Sequence, residues 1–213
     1  MDLEKTFAGV RPLADTLWSR LSVLRATFER PRILFTSTQA ESGTTLMTAA
    51  TALGLARNLR RDVRVVETRF ERPGMADYFE IPRGPGLSDV LDHRATLDQS
   101  LQRLASCPDL GIIPAGSPRA VIPGEFATGE VCDLLGSISG GADFTLFDAA
   151  PIQSDVETRM LLEHVDGVVF VVRARSAHTK ALRESADIVE RAGLPVFGCV
   201  LNRYKSDVPF GLE

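Results

Sequence analysis

From Ile33 to Ala50 the chain reads ILFTSTQAESGTTLMTAA: a short apolar strand (Ile33–Phe35), a loop of small polar residues, and a helix that starts near Thr44. That order constrains the fold, because it brings backbone N–H groups and a helix N-terminus to one point and so forms a cradle for an anion. Loops of this kind ordinarily close with Gly-Lys-Ser/Thr. Here the closing residues are Gly43-Thr44-Thr45, and the lysine is missing. The surroundings therefore predict a nucleotide-binding fold, while the loop itself predicts that the nucleotide chemistry has been lost.

The remainder of the chain repeats the strand-and-helix alternation. Leu13, Leu17, Leu21, Leu24 and Phe28 recur at spacings of three and four and predict an amphipathic helix, with Pro31 just past its end. After the loop, Leu46, Ala49, Ala50, Leu53, Ala56 and Leu59 predict one apolar helix face, and Arg57, Arg60 and Arg61 suit its C-terminus. Val63–Val66, Leu110–Ile113, Phe144–Phe147, Val168–Val172 and Val196–Leu201 read as buried strands. Helices are expected around Met75–Phe79, Leu87–Leu91, Leu97 to Leu104, Val131 to Ile138, Thr158–His164 and Ala181–Ala192, with 115–124 as a linker. Nearly continuous apolar strands alternating with helices predict an α/β fold: a doubly wound, mainly parallel sheet covered by helices on both faces, of P-loop NTPase type. Residues 1–12 read as a polar N-terminal leader, 13–204 as a single domain and 205–213 as a short polar tail.

Composition narrows the function classes. At 213 residues with 44% hydrophobic content, the chain can bury a full core without staples. A net charge of −4 gives no basic surface for nucleic acid. No apolar run approaches 18 residues and the N-terminus lacks an apolar signal segment, so neither membrane insertion nor secretion is expected. Cys107, Cys132 and Cys199 are scattered without metal-ligand spacing and read as free thiols in a reducing cytoplasm. His93, His164 and His178 fall in different elements and read as structural or solvent-facing.

Six further features occur in order. Thr36-Ser37 precede the loop, Arg72-Pro73 follow the second strand, and Gly86-Leu87-Ser88-Asp89-Val90-Leu91 comes next. Pro114-Ala115-Gly116 follows the third long strand, Asp148 ends the next, and Leu201-Asn202-Arg203 ends the last. From about Trp18 to Tyr204 the chain resembles the cytoplasmic bacterial tyrosine kinases of exopolysaccharide and capsule assembly, within the deviant-Walker ATPases that include MinD and ParA proteins.

What the resemblance implies can be carried over residue by residue. Thr44 stands where the family has the phosphate-binding lysine, and its hydroxyl cannot supply the positive charge that phosphoryl transfer uses. Glu41 stands where the family has a glycine. Thr45 matches the hydroxyl that binds Mg²⁺, and Asp148 the strand-end carboxylate that holds the ion through water. The family's Asp-x-Asp is Glu67-Thr68-Arg69 here, which reverses the second charge, and Glu71 replaces a following arginine. Arg69 could instead stand in for the missing lysine. Asn202 and Arg203 match the adenine-contacting turn. Several of these residues have ordinary structural uses too: Thr44 and Thr45 as helix-start caps, Asp148 as a loop anchor, Asn202 as a turn residue.

The family's assembly pattern, Glu-x-x-Arg-x-x-Arg, falls on Ser19, Ser22 and Arg25, and its C-terminal tyrosine cluster is reduced to Tyr204, with Tyr78 elsewhere. The expectation is therefore a degenerate pseudokinase, an accessory protein of exopolysaccharide synthesis and export. No catalytic residue is expected; an active site, if present, would use Thr45, Glu67 and Asp148. The remnant nucleotide site is Gly43, Thr44, Thr45, Arg69, Asn202 and Arg203, with Thr45 and Asp148 as Mg²⁺ ligands should nucleotide bind. No cofactor is expected, ATP or ADP with Mg²⁺ being the alternative. The expected partner is a membrane-anchored polysaccharide co-polymerase or chain-length protein, with homo-oligomer formation left open and no nucleic-acid partner. The expected location is cytoplasmic, peripheral to the inner membrane through that partner. Two other readings stay open, an autokinase or ATPase with a rearranged site and a MinD- or ParA-like positioning ATPase.

Overall fold

A computed structural model describes residues 3–119, 122–174 and 179–203. His178, Tyr204 and the tail from 205 lie outside the described residues. Helix α1 (Leu3–Phe7) and helix α2 (Arg11–Ser22) lead through a 3₁₀ turn at Val23–Ala26 into strand β1 (Arg32–Thr36). Helix α3 (Thr44–Leu59) and strand β2 (Val63–Glu67) follow, then the short helices α4 (Met75–Phe79), α5 (Leu87–Leu91) and α6 (Leu97–Ser100). Strands β3 (Gln102–Leu104) and β4 (Cys107–Ile113), helix α7 (Gly129–Gly140), strand β5 (Phe144–Asp148) and helix α8 (Val156–Met160) come next. Strand β6 (Gly167–Arg173), helix α9 (Thr179–Arg191) and strand β7 (Val196–Asn202) complete the described chain.

The strands form one seven-stranded sheet in the order β3-β4-β2-β5-β1-β6-β7. Every pairing is parallel except β3 with β4. Because side chains alternate along a strand, each strand feeds two cores. Ile33, Phe35, Val63, Val65, Ile112 and Leu146 pack on one face with α1, α2, α3 and α4. Leu34, Val66, Ile113, Phe147, Val168 and Phe170 pack on the other with α5, α7, the turn after α8, and α9. The expected doubly wound α/β sheet is present.

Three local expectations change. Leu3, Phe7 and Val10 are buried in the first core, so the stretch read as a polar leader packs against the domain. The helix expected from Leu13 to Phe28 ends at Ser22, and Phe28 turns back to meet Phe197, ring centroids 5.9 Å apart. The helix expected from Leu97 to Leu104 stops at Ser100, because Gln102 and Arg103 pair antiparallel with Ile112 and Gly111 of β4.

Parallel register sets the site. Asp148 lies opposite both Glu67 of β2 and Phe35 of β1, so the carboxyl ends of the three central strands finish together. The carboxyl end of a parallel sheet is where α/β folds place ligands.

Candidate functional site, a phosphate-type loop with an arginine beside it

The loop between β1 and α3 is held by its own small polar residues. The Ser37 and Ser42 hydroxyls both donate to the Gln39 carbonyl, at 2.8 and 2.9 Å. Gly43 takes the N-cap position in the left-handed region at φ 86°, and Glu41 is also left-handed at φ 60° with its side chain exposed on the rim. Thr44 and Thr45 open α3 and are buried. The loop thus runs straight into the N-terminus of α3, with Thr44 as its first helical residue.

Arg69, two residues past β2, reaches back to this helix start. Its Nη1 donates to the Thr45 hydroxyl at 2.8 Å. A cleft of about 240 Å³ opens here, lined by Ser42, Gly43, Thr44, Thr45, Arg69, Tyr78 and Arg203, among others. Tyr78 comes from α4; its partial burial and the nearby Asp148 push its hydroxyl pKa up. Nothing in the sequence placed Tyr78 at this cleft, since only the packing of α4 against α3 brings it there.

Glu67 is turned away from the cleft. It is fully buried, and one carboxylate oxygen accepts the backbone N–H groups of Gly74 at 2.5 Å and Met75 at 2.9 Å, while the other accepts that of Ala115 at 3.1 Å. Burial raises its pKa, and these three N–H donors oppose the rise. Glu67 thereby ties two loops to the end of β2.

Asp148 sits deeper. It is 0% exposed and neither carboxylate oxygen has a hydrogen-bond partner among the described residues. Burial pushes its pKa up to about 7, against the pull of Arg69 and of the nearby Thr45 and Thr48 hydroxyls, with Glu67 adding to the rise. The Thr48 hydroxyl itself donates to the Thr44 carbonyl at 2.9 Å. Asp148 fixes its surroundings through its backbone: its carbonyl accepts from the Thr68 N–H at 3.0 Å and hydroxyl at 2.9 Å.

The amide of Asn202 is engaged at both ends. Its nitrogen donates to the Ser42 carbonyl at 2.9 Å, and its oxygen accepts the Arg203 N–H at 2.8 Å. It clamps the loop to the end of β7, whereas the Arg203 side chain is exposed along the cleft. Gly43, Thr44, Thr45, Arg69 and Arg203 thus gather at one cleft; Asn202 braces it, Asp148 lies behind it, and Glu67 serves neighbouring loops.

Thr45 and Asp148 are the residues that would hold Mg²⁺, a hard cation demanding oxygen ligands in close geometry. As the side chains stand, they do not fit the ion. The Thr45 oxygen already accepts from a guanidinium, which would oppose a divalent cation at the same atom. The remaining carboxylate, Asp148, has a pKa near neutrality and binds cations only in its charged form. Among the described residues no group of three or more His, Cys, Asp or Glu side chains could hold a metal.

The assembly-pattern positions are engaged within the chain. The Ser22 hydroxyl donates to the Ser19 carbonyl, and Arg25 forms an ion pair with Asp143. No helix among the described residues is long and apolar enough to cross a membrane.

No family model matches the chain. Similarity to known proteins is nevertheless extensive. CapB of Staphylococcus aureus, assigned by name to the tyrosine-protein kinases, is 22% identical over 206 residues, which is 96% of this chain and 86% of that protein. The tyrosine-protein kinase ptk of Acinetobacter johnsonii is 23% identical over 76% of this chain, and the match spans 22% of that longer protein. The crystal structure of the VpsO kinase domain superposes with a TM-score of 0.80 at 22% identity, covering 92% of this chain and 96% of that one. The septum site-determining protein MinD of Pyrococcus horikoshii, solved with Mg-ADP, superposes with a TM-score of 0.69 at 20% identity, covering 83% and 72%. Sequence and architecture agree with the six ordered features: the chain is similar to bacterial tyrosine kinases and has the MinD-like P-loop fold.

Proposed function

We propose that the chain is a non-catalytic member of this family, an accessory protein of exopolysaccharide synthesis and export. It acts through protein–protein contacts with the cytoplasmic part of a membrane-anchored co-polymerase or chain-length protein. The observation that carries this reading is the Arg69–Thr45 hydrogen bond, which places a fixed cation on the oxygen that catalysis would give to Mg²⁺. The use of Glu67 as a loop tie supports it, since that carboxylate is then lost to metal or nucleophile chemistry. Phosphoryl transfer relies on charge neutralisation and alignment by lysine and metal, and loss of such contacts forfeits several orders of magnitude in rate.

The test pairs biochemistry with genetics. Purified chain incubated with ATP and Mg²⁺ is expected to release no phosphate and to carry no phosphotyrosine. In the source organism, deletion is expected to reduce exopolysaccharide, and Asp148→Asn is expected to restore it as well as wild type does. Turnover with tyrosine phosphorylation would overturn the reading.

One observation favours a second reading, an autokinase with a rearranged site: Tyr78 lines the same cleft as Thr45 and Arg69. That reading requires phosphate on Tyr78, which peptide mapping after incubation with ATP would detect.

A further inference from the structure

We propose that strand β7 pairs antiparallel with β7 of a second copy of this chain, about a two-fold axis at Cys199, with Arg183 of each copy facing Glu190 of the other. β7 is an edge of the sheet, and among the described residues no strand pairs with its outer side. It is seven residues long, Val-Phe-Gly-Cys-Val-Leu-Asn, without a charge or a proline. The other edge, β3, is three residues long and carries Arg103, features that discourage pairing with another strand. The Ala174 N–H donates to the Asn202 carbonyl at 2.8 Å, so the polar backbone groups of Asn202 and, by alternation, of Val200 face β6. Those of Cys199 and Leu201 face outward. Val196, Cys199 and Leu201 are exposed, Leu201 by 44%. Beside them a groove of about 340 Å³ is lined by Leu13, Leu17, Phe197 and Leu201, among others.

Charge on helix α9 selects a second copy as the occupant. The Gln153 amide nitrogen donates to the Ala181 carbonyl at 2.8 Å and to Glu184 at 3.4 Å, while the neighbouring Ile152 N–H donates to the carbonyl of Ser37, just past β1. That flank of α9 therefore faces the centre of the sheet, and Ser185 and Val189 are buried beneath the helix. The flank toward the β7 edge carries Arg183, Ala186 and Glu190, at spacings of three and four, with both charged residues exposed. A cation, a small residue and an anion in this order complement themselves only when two helices run antiparallel. Each Arg183 then meets a Glu190, and Ala186 permits close approach at the crossing. One axis serves both helix and strand. From Ala192, just past the helix end, back to Ala186 the helix rises about 9 Å. From Val196 to Cys199 the strand rises about 10 Å, so the two midpoints lie at one height. Pairing of a patch with itself about a two-fold axis is the commonest form of association between soluble chains, and here it joins two seven-stranded sheets into one. The inference holds whether or not the nucleotide site is active.

The experiment measures the mass of the full chain by sedimentation equilibrium from micromolar to near-millimolar concentration. A reversible dimer is expected. Leu201→Lys, which places a charge on the exposed edge, is expected to be monomeric over the same range. Arg183→Glu and Glu190→Arg each set like charges against each other twice per dimer and are expected to weaken association by about tenfold. The double variant restores opposite charges and is expected to return to within about threefold of wild type. Mild oxidation with diamide, which takes two electrons and two protons from a pair of thiols, is expected to lock the dimer through Cys199. Directly opposed residues of antiparallel strands lie about 5.5 Å apart at Cα, within disulfide reach. Cys199→Ser is expected to abolish the lock and Cys132→Ser to keep it. Circular dichroism confirms that every variant is folded. A dimer that persists in Leu201→Lys, crosslinks without Cys199, or is weakened further in the double charge variant overturns the inference. So does a chain that is monomeric throughout; if Cys199 then also resists iodoacetamide, residues from 204 onward cover the edge instead.

Discussion

Asn202 and Gly43 meet where the last strand of the sheet touches the first loop. A Cβ on Gly43 would lie 2.3 Å from the Asn202 side-chain nitrogen, which itself donates to the Ser42 carbonyl at 2.9 Å. The glycine is therefore required twice, by its left-handed φ of 86° and by the asparagine packed over it.

A bracing role makes a definite prediction. Asn202→Ala should lower the unfolding free energy by about 1–3 kcal/mol, because it leaves a buried carbonyl unpaired. Gly43→Ala should cost at least as much, since steric overlap adds to the left-handed backbone cost. Urea unfolding of each variant measures this. An Asn202→Ala protein as stable as wild type would mean that the side chain is kept for a ligand.

How far the sequence reveals such relationships depends on their range. Strands such as Val168–Val172 are legible because continuous apolar runs between helices leave one way to bury them, and β6 matches within a residue at each end. Leu97, Leu101 and Leu104 show the opposite case. Their spacing suits one long helix, but pairing with β4 converts the second half to strand, and that pairing partner is invisible to local periodicity. The site divides in the same way. The loop, Arg69 and Asp148 can be named from their order along the chain. Whether Glu67 faces the cleft cannot be, because its orientation is decided by three backbone N–H groups brought in from residues 74, 75 and 115. The contact between the Arg69 guanidinium and the Thr45 hydroxyl is likewise a matter of reach, and charge reversal at Arg69 alone does not specify it.

Glu67 gives the second prediction. Glu67→Gln keeps the shape but turns an amide N–H₂ toward at least one backbone donor, leaving buried N–H groups unpaired. Stability should fall by about 2–3 kcal/mol, the usual scale for a lost hydrogen bond to a charged group. Hydrogen exchange should lose protection at residues 73–79 and 114–117 together. Loss confined to one of these segments would mean that Glu67 does not couple them.

The Gly86-to-Leu91 signature has a structural explanation that yields a third. The Asp89 carboxylate accepts the backbone N–H groups of Gly86 at 2.9 Å and Ser117 at 3.0 Å, and the Ser88 hydroxyl donates to the Ser117 carbonyl at 2.8 Å. A Cβ on Gly86 would lie 2.3 Å from the Pro114 carbonyl oxygen and 2.5 Å from the Gly116 nitrogen, backbone atoms that cannot swing aside. Gly86→Ala should therefore destabilise by about 3 kcal/mol or more, the range of strongly disruptive substitutions. Gly129→Ala, with nothing within 4 Å of the added carbon, serves as the control and should stay within about 0.5 kcal/mol of wild type. Thermal or urea unfolding decides, and equal effects at both positions would refute the close approach.

The last prediction concerns pH. Burial holds the Asp148 pKa up to about 7, whereas in the unfolded chain the carboxyl titrates near its ordinary value of about 4. Between those values the folded protein keeps a proton that the unfolded chain releases. The stabilising contribution is therefore complete below about pH 4 and is lost as pH rises through about 7. The charged and titratable groups facing Asp148 are Arg69, which opposes the rise, and Glu67, which reinforces it; Asp148 in turn raises the pKa of Tyr78. Asp148→Asn cannot ionise and escapes the loss. The stability of the variant relative to wild type should consequently improve from pH 4 to pH 8, by up to about 4 kcal/mol if the full shift is realised. Glu67 is coupled to Asp148, so the difference between the two proteins reports the Asp148 charge together with its effect on Glu67. Urea unfolding of both proteins at pH 4, 6 and 8 measures the trend. A difference that stays flat across this range would mean that Asp148 is ionised throughout and balanced by a cation, with Arg69 as its counter-ion.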